Sequence, residues 1–303
     1  PQASAGPAPS APADVLLEIG TEELPAGDLS EALDQLGALA PALFESLRLD
    51  HGGITVLGTP RRLVIHARNV APRQRDAEAW VKGPPAARAF DANGQPTQAA
   101  AGFARGKGVP VEALEVREMD GGQYVVALVR EAGRPAIDVL AEALPGLIAA
   151  LKFGKAMRWN ESGIAFSRPL RWIVALFGGQ VIPFAYAGVA SGNITRGIRP
   201  LRSPEIALSD AASYFAALDA QGVILDVSAR REAIQAAVVA LAAQVGGTIP
   251  DDQALLDEVT NLVERPTALR GAFDAKYLAL PREVLVGVMR KHQRYFPVED
   301  AQG

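Results

Sequence analysis

The stretch VLLEIGTEELP, residues 15–25, joins an apolar run to an acidic turn that ends in proline. Val15–Ile19 predicts a short strand, because the run is apolar and stops at a glycine. The turn that follows carries two adjacent acids, Glu22 and Glu23. Asp28 comes three residues after the proline and is the residue type that caps helices, so we expect a helix to begin there. This stretch therefore predicts a strand, a turn and a helix in that order.

A similar mixture of predicted strands and helices continues along the chain. Ile54–Leu57 and Arg62–Val70 predict two strands joined by the turn GTPRR, and Trp172–Phe177 with Val181–Ala187 predicts a hairpin. Helical patterns lie between these strands without a βαβ rhythm. We therefore predict an α+β fold with mostly antiparallel sheets in two packed domains, and no Rossmann-type doubly wound sheet.

Shifts in composition divide the chain into four predicted parts. Residues 1–13 are rich in Pro and Ala and predict a disordered tail. Residues 14–154 predict an N-terminal α+β domain, and residues 155–205 a basic segment with Arg and Trp followed by the hairpin. Residues 206–303 predict a second α+β domain that is truncated at its C-terminal side.

The totals limit the classes of function. The chain has 303 residues, a net charge of −4 and no cysteine, which excludes disulfides and thiolate chemistry and is typical of a reducing compartment. The three histidines, His51, His66 and His292, are too far apart in sequence to predict a metal site. Neither a membrane span nor a signal peptide is indicated. We expect a cytoplasmic protein.

Positive charge is concentrated in one part of this mildly acidic chain. Residues 143–204 contain eight Lys or Arg and a single acid, Glu161. Within that window, KAMRWNESGIAFSRPLRW (residues 155–172) interleaves cations with Trp159, Phe166 and Trp172. Cations among planar side chains favour nucleic acid as a partner, although Trp159 and Trp172 themselves are more typical of a core.

No motif predicts a catalytic site. GFARGKG (residues 102–108) lacks both the spacing and the Ser or Thr of a phosphate-binding loop, so an Ala-rich helix that stops at glycine is the simpler interpretation. Glu22 and Glu23 are adjacent and point apart, which does not suit an acid–base pair. Ser191 lacks the elbow and the His partner of a nucleophile. We therefore name no catalytic and no metal-binding residue.

Seven ordered words in the sequence resemble one family, the β subunit of bacterial glycyl-tRNA synthetase. They are LLEIGTEELP (16–25), TPRRL (59–63), KGPP with AFDANGQPTQAAAGFAR (82–105), MRW with FSRPLRW (157–172), SGNITRG (191–197), EVTNLVERP (258–266) and LPREVLVGVMRKHQRYF (280–296). Two positions depart from the resemblance, since we expect His and Trp in the family where this chain has Ile198 and Arg265.

The resemblance implies the N-terminal part of a subunit of an α₂β₂ enzyme that joins glycine to tRNA(Gly). It implies that ATP and Mg²⁺ are used through the α subunit, and that no cofactor belongs to this chain. The expected partners are the α subunit and tRNA(Gly), without a membrane. The RNA contacts that we predict are Arg61, Arg62, Lys155, Arg158, Arg168, Arg171, Arg196, Arg199, His292 and Arg294.

Several alternatives stay open at this point. Arg61 and Arg62 also suit a solvated strand edge, and His292 also suits a buried, hydrogen-bonded position. The whole chain also suits a scaffold that docks the α subunit without contacting RNA, since Arg and Trp are enriched at protein interfaces. A more remote alternative is an editing-type domain, resembling that of the phenylalanyl-tRNA synthetase β chain.

Overall fold

The computed structural model describes residues 9–91 and 93–300, which form two compact units. The larger unit contains the described residues up to Pro72 and those from Ala136 onward, and the smaller unit is Arg73–Pro135. Each unit combines helices with strands that are mostly antiparallel. The predicted α+β class is confirmed.

The described residues contain fourteen strands and eight α-helices. The strands are β1 (Ala13–Thr21), β2 (Ile54–Thr59), β3 (Arg62–Val70), β4 (Ala77–Pro85), β5 (Glu115–Met119), β6 (Gly122–Glu131), β7 (Met157–Arg158), β8 (Ala165–Phe166), β9 (Leu170–Phe177), β10 (Gln180–Val181), β11 (Ala185–Tyr186), β12 (Val189–Gly192), β13 (Ile194–Arg196) and β14 (Glu205–Ala207). The helices are α1 (Ala26–Ser46), α2 (Ala86–Ala89), α3 (Gln98–Lys107), α4 (Ala136–Ala150), α5 (Ser213–Asp219), α6 (Val227–Ala243), α7 (Gln253–Thr260) and α8 (Arg282–Val288).

The larger unit is organised around one sheet in the order β11-β12-β9-β1-β3-β2, with β10 also paired to β9. β1 is the central strand, and it pairs antiparallel with both β3 and β9. The pair of β12 with β9 is parallel. Because β1 has a partner on each side, the first apolar run of the chain supplies the middle of the sheet.

Both faces of β1 are covered, which explains why its sequence does not alternate between apolar and polar residues. Val15, Leu17 and Ile19 point to one face and pack in a core with α1 and α4. Leu16 points to the other face and packs in a second core that includes α5. Glu18 is on this second face and is fully buried, so its charge needs a partner inside the protein.

One glycine on β1 is required by packing. The backbone of Gly20 lies so close to the indole ring of Trp172, its partner on β9, that a Cβ at this position would overlap the ring. Trp172 itself is buried in the core beneath α5. The glycine of the GTEELP motif therefore allows the indole to lie across the sheet.

The part of the larger unit from α6 onward changes character along its length. The side chain of Arg230 on α6 is buried and donates to backbone oxygens of Gly58 and Thr260, which joins α6 to β2 and α7. From residue 269 to 284, by contrast, every side chain is exposed. That segment includes a 3₁₀ turn, Ala275–Ala279, and the start of α8.

The smaller unit is a three-stranded antiparallel sheet in the order β4-β6-β5, with α2 and α3. Its small core contains Ala89, Ala100 and Val125. α3 is capped at its start by the side chain of Thr97 and ends at Gly108, which adopts the left-handed conformation. The predicted Ala-rich helix with a glycine stop is confirmed for the GFARGKG segment.

Two details of the predicted elements are wrong. The first helix begins at Ala26, so Asp28 lies inside its first turn, where the carboxylate accepts a hydrogen bond from the hydroxyl of Ser167 and caps no N–H of the described residues. The hairpin after β9 is also shorter than predicted, because β10 stops before Pro183, which has no N–H to continue the ladder.

The predicted boundaries at 154/155 and 205/206 do not coincide with those of the two units, and β1 and β9 share a sheet across the first of them. The predicted truncation after the second α+β domain stays a prediction. Residues 1–8 of the predicted tail lie outside the described residues, and Ala13 at its end begins β1. Within the described residues, no helix has the length and apolar character to cross a membrane.

Candidate functional site

Three of the motifs meet at the end of β1. The backbone N–H of Thr21 donates to the carbonyl of Arg61 at 2.9 Å, and that of Leu24 donates to Pro60 at 2.7 Å. The N–H of Glu22 donates to the carbonyl of Pro169 at 3.0 Å. The turns GTEELP, TPRRL and SRPLRW are therefore held together by main-chain hydrogen bonds, and their charged side chains share one region of the larger unit.

Arg62 lies beneath these turns and is fully buried. Its Nη1 lies 3.1 Å from Oε1 of Glu18, and its Nε donates to Oε1 of Glu264 at 2.8 Å. Burial alone lowers the pKa of Arg62, but the carboxylates of Glu18 and Glu264 outweigh it and raise the pKa above its ordinary value. The burial of Arg62 argues against the predicted phosphate contact. Its ion pairs with Glu18 and Glu264 instead indicate a structural role beneath the turns.

Arg61 is also buried, with 7 % of its surface exposed, but it is less well paired. Its Nη1 lies 3.6 Å from Oε2 of Glu264 and makes a long contact of 3.5 Å with the carbonyl of Gly197. The Nε atom has no hydrogen-bond partner among the described residues. Burial lowers the pKa of Arg61 because the attraction of Glu264 does not offset the lost hydration. Arg61 is thus a recessed cation with unused donors.

Two exposed arginines surround the acidic turn. Nη2 of Arg199 lies 2.8 Å from Oε2 of Glu22, and its Nη1 also pairs with Glu23. Nε of Arg171 lies 3.3 Å from Oε1 of Glu22. Burial raises the pKa of Glu23, but the hydrogen bond from Arg199, a backbone hydrogen bond and the charges of Arg199 and Arg61 together outweigh burial, and the pKa lies below its ordinary value. Glu22 and Glu23 are therefore charged partners of arginines.

The remaining predicted contacts are more dispersed. Arg196 on β13 pairs with Glu205 at 2.7 Å, and half-buried Arg168 donates to the carbonyl of Ser167 at 3.0 Å. Exposed Arg158 donates from Nε to the carbonyl of Gly163 at 2.9 Å. No ion pair reaches exposed Lys155 from the described part of the chain.

His292 and Arg294 lie elsewhere in the larger unit, on a π-helical turn after α8 that spans Met289–Gln293 and ends at Arg294. Both side chains are exposed, so the alternative of a buried His292 is wrong. Nε of Arg294 pairs with Oε1 of Glu258 on α7 at 3.0 Å. The predicted contacts thus separate into those on and beside the GTEELP, TPRRL and SRPLRW turns, Lys155 and Arg158 at β7, Arg196 on β13, and these two.

A cleft of about 350 Å³ opens beside the GTEELP turn. Its walls come from the TPRRL turn, the 3₁₀ turn Arg199–Leu201 and the segment after α7. The lining residues are Glu23, Pro60, Arg61, Ile198, Arg199, Pro200, Leu201, Leu262, Val263, Glu264, Arg265 and Thr267. Both departures from the resemblance, Ile198 and Arg265, therefore lie in the same cleft.

Sequence reasoning missed two residues that organise this region. Glu264 pairs with both arginines of the TPRRL turn and accepts a hydrogen bond from Thr59 at 2.7 Å. Arg230 anchors α6, and its burial lowers its pKa to about 10. A signal was present for Glu264, since it is the charged residue in the middle of the LVERP word. Arg230 lies in an ordinary helical pattern and gave none.

The side chains that were weighed as catalytic have structural partners. The hydroxyl of Ser191 donates to the carbonyl of Ile182 at 2.7 Å and accepts from the N–H of Phe184 at 3.0 Å. These contacts join β12 to the end of β10. Within residues 9–91 and 93–300, no group of three or more His, Asp or Glu side chains is arranged to hold a metal ion.

Comparison with known proteins identifies the family. The family model described as "Glycyl-tRNA synthetase beta subunit" matches residues 15–303. The chain is 48 % identical over 290 residues to the glycine–tRNA ligase beta subunit of Moorella thermoacetica and 46 % identical over 290 residues to that of Desulforamulus reducens. Each alignment covers 96 % of this chain and 42 % of the relative.

A plant protein gives a similar match. The chain is 44 % identical over 292 residues to the Arabidopsis thaliana protein "Glycine–tRNA ligase, chloroplastic/mitochondrial 2". This alignment covers 96 % of this chain and 27 % of the relative. The chain thus spans about 42 % of the length of the bacterial relatives. The model match over residues 15–303, together with these identities, shows that the chain belongs to the glycyl-tRNA synthetase beta subunit family.

Proposed function

We propose that this chain is the N-terminal part of the β subunit of a cytoplasmic glycine–tRNA ligase and that it engages tRNA(Gly) through its exposed cations. The complete enzyme would join glycine to tRNA(Gly) with ATP, and the α subunit would carry the catalytic site. The observation that carries the RNA-binding part is the group of exposed cations, Lys155, Arg158, Arg171 and Arg199, on the unit that holds six of the seven family motifs.

The geometry of Arg171 and Arg199 suits contact with a phosphate backbone. Their side chains are 58 % and 54 % exposed, although both pair with the acidic turn. A guanidinium has five N–H donors, so each arginine keeps donors for a phosphate after pairing with a carboxylate. The acids Glu22 and Glu23 would then orient the arginines and leave them accessible.

The other predicted contacts differ in how far their side chains are exposed, and this difference suggests a different role for each group. Arg158 and Lys155 are exposed and suit direct contact, as do His292 and Arg294 on their separate turn. Half-buried Arg168 and Arg196 would contribute from the edge of the surface. Arg62 would support the turns from beneath, and Arg61 would act from inside the cleft.

ATP and Mg²⁺ belong to the α subunit in this proposal. The described residues contain no cluster of carboxylates that fits a Mg²⁺ ion, and the GFARGKG segment is a helix and not a phosphate-binding loop. In this proposal the chain contributes binding and positioning, and the chemistry of adenylate formation takes place on its partner.

Binding of tRNA(Gly) to the complete enzyme tests this proposal. Arg158→Ala and Arg171→Ala should each weaken binding and leave thermal stability unchanged, because both side chains are exposed. Arg130→Ala is a matched control, since Arg130 is 78 % exposed and pairs with Glu78 in the smaller unit. A loss of thermal stability in the first two variants would place these arginines in structural ion pairs instead.

Docking of the α subunit is a second candidate function, favoured by a different observation. The segment from residue 269 to 284 exposes Leu269, at 87 %, together with Phe273, Tyr277 and Leu278. Exposed apolar side chains gathered in one segment favour an interaction surface. Leu269→Glu with Leu278→Glu should then reduce co-elution with the α subunit on gel filtration, whereas Val239→Glu, at an exposed apolar position on α6, should not.

A further inference from the structure

The cleft beside the GTEELP turn contains a buried cation, Arg61, whose ion pair is long and whose Nε has no hydrogen-bond partner among the described residues. Glu264 gives its short contacts to Arg62 and Thr59, at 2.8 and 2.7 Å, and lies 3.6 Å from Arg61. Removing a guanidinium from water without a close partner is costly, so a recessed arginine of this kind suits a ligand that accepts hydrogen bonds. Arg61 forms part of the wall of the cleft.

Apolar side chains form part of the wall, together with the carboxylates of Glu23 and Glu264, and none of the lining residues is aromatic. Pro60, Ile198, Leu201 and Val263 line the cleft beside Arg61. A volume of about 350 Å³ falls at the lower end of the range of small-molecule sites, about 300–1,000 Å³. A flat group with an apolar face and an edge of acceptors would be accommodated by these walls.

Two further cations line the same cleft. Arg199 pairs with the acidic turn, and Arg265 is exposed and lies against Gly222 with no ion pair in the described residues. Cations beside an apolar recess match a ligand that has a planar body and an anionic tail. Guanidinium planes also stack on bases that are not paired.

The cleft continues the exposed basic surface. Arg199 lines the cleft and shares Glu22 with Arg171, which lies on β9 outside it. An RNA strand that follows this surface would therefore pass the opening of the cleft. This continuity favours a nucleotide of such a strand as the ligand. An acidic side chain of a protein is less suitable, because a carboxylate would not pack against the apolar part of the wall.

We propose that the cleft binds one unpaired nucleotide of an RNA strand, with the base against Ile198, Leu201 and Val263, its acceptor edge on Arg61, and its phosphate near Arg199 and Arg265. This inference rests on the proposed binding of tRNA. Because arginine donates to the O6 and N7 atoms of guanine and adenine presents a donor at the position of O6, guanine should bind more tightly than adenine.

Guanosine 5′-monophosphate, added to the complete protein and followed by calorimetry, tests the site directly. Leu201→Glu places a carboxylate at an exposed position of the cleft and should lower the association constant about tenfold, as should Arg265→Ala. Val239→Glu introduces the same charge at a similarly exposed position on α6 and should have no effect. Adenosine 5′-monophosphate should bind more weakly than the guanosine nucleotide.

Other results would overturn the inference. It fails if the guanosine nucleotide does not bind, if Leu201→Glu leaves its binding unchanged, or if a hexaglutamate peptide binds the cleft and the nucleotide does not. Parallel measurements with tRNA(Gly) separate the two proposals. Weaker tRNA binding by Arg158→Ala and Arg171→Ala, with no effect of Leu201→Glu or Arg265→Ala, would reject the cleft and keep the proposed function.

Discussion

Nε of Arg62 donates to Oε1 of Glu264 at 2.8 Å, although the two residues are 202 positions apart in the sequence. Both are buried, and Glu18 on the central strand completes the cluster from the other side of the arginine. The pair joins the TPRRL turn on the sheet to the segment after α7. It thereby fixes the floor of the cleft, and the position of Arg61 next to it.

Replacing Arg62 should destabilise the protein strongly. Arg62→Met leaves Glu18 and part of Glu264 buried without their cation, and breaking a buried ion pair costs about 3–5 kcal/mol. Urea unfolding gives the measurement. The double variant Arg62→Met with Glu18→Gln should recover part of the loss, since the uncompensated charge is removed. A loss of less than about 1 kcal/mol in Arg62→Met would contradict this account.

The glycine beneath Trp172 gives a prediction about packing. Gly20→Ala should destabilise the protein by about 1–3 kcal/mol, because the added methyl overlaps the indole and the core must shift. Gly37→Ala is the matched control, since Gly37 is exposed inside α1 with open space around it. That change should instead stabilise by up to about 1 kcal/mol, as alanine favours the helix. Equal effects of the two changes on thermal unfolding would refute the packing argument.

These cases show which features the sequence could predict. The strand at Val15–Ile19 followed from its apolar run, and the α+β class followed from the mixture of patterns, because both depend on local order. The central place of β1 depended on pairing with β9, which begins more than a hundred residues later, and no local pattern contains that information. The buried position of Glu18 follows from the same pairing.

Acidic pH should weaken a local contact near the start of β1. Asp14 accepts a hydrogen bond from the N–H of Asn69 at 3.0 Å, and its Oδ2 lies 2.9 Å from Nε2 of His66. Burial raises the pKa of Asp14, but these contacts outweigh it and hold the pKa below its ordinary 3.8. A carboxylate with a lowered pKa in the folded state stabilises above its unfolded pKa, and the contribution is lost as the pH falls through the folded value.

The variant Asp14→Asn measures this contribution. Its free energy of unfolding should be lower than that of the parent protein at about pH 6, and the difference should shrink below about pH 4 as Asp14 takes up a proton. Denaturant unfolding at a series of pH values provides the comparison. A difference that stays constant over the whole series would show that ionisation of Asp14 does not contribute.

The candidate site was predictable only in part. Clustering of cations in the sequence pointed to segments from which Arg171 and Arg199 lie exposed around one turn, and their contact with RNA stays a prediction. The sequence could not separate Arg61 and Arg62 from them, because whether an arginine on a turn faces solvent depends on where its carboxylate partner lies. That partner, Glu264, comes from a distant part of the chain.

Engagement of tRNA(Gly) by the exposed arginines is the central claim, and the dependence of binding on salt tests it most directly. Binding by the complete enzyme is measured over a range of salt concentrations for the parent and for the double variant Arg158→Ala with Arg171→Ala. Each contact with a single-stranded phosphate contributes about −0.7 to the slope of log K against log salt. We predict weaker binding by the double variant and a slope less negative by about 1.4, for two lost contacts. Binding by the parent that does not change with salt, or an equal affinity and slope in the variant, would contradict the account.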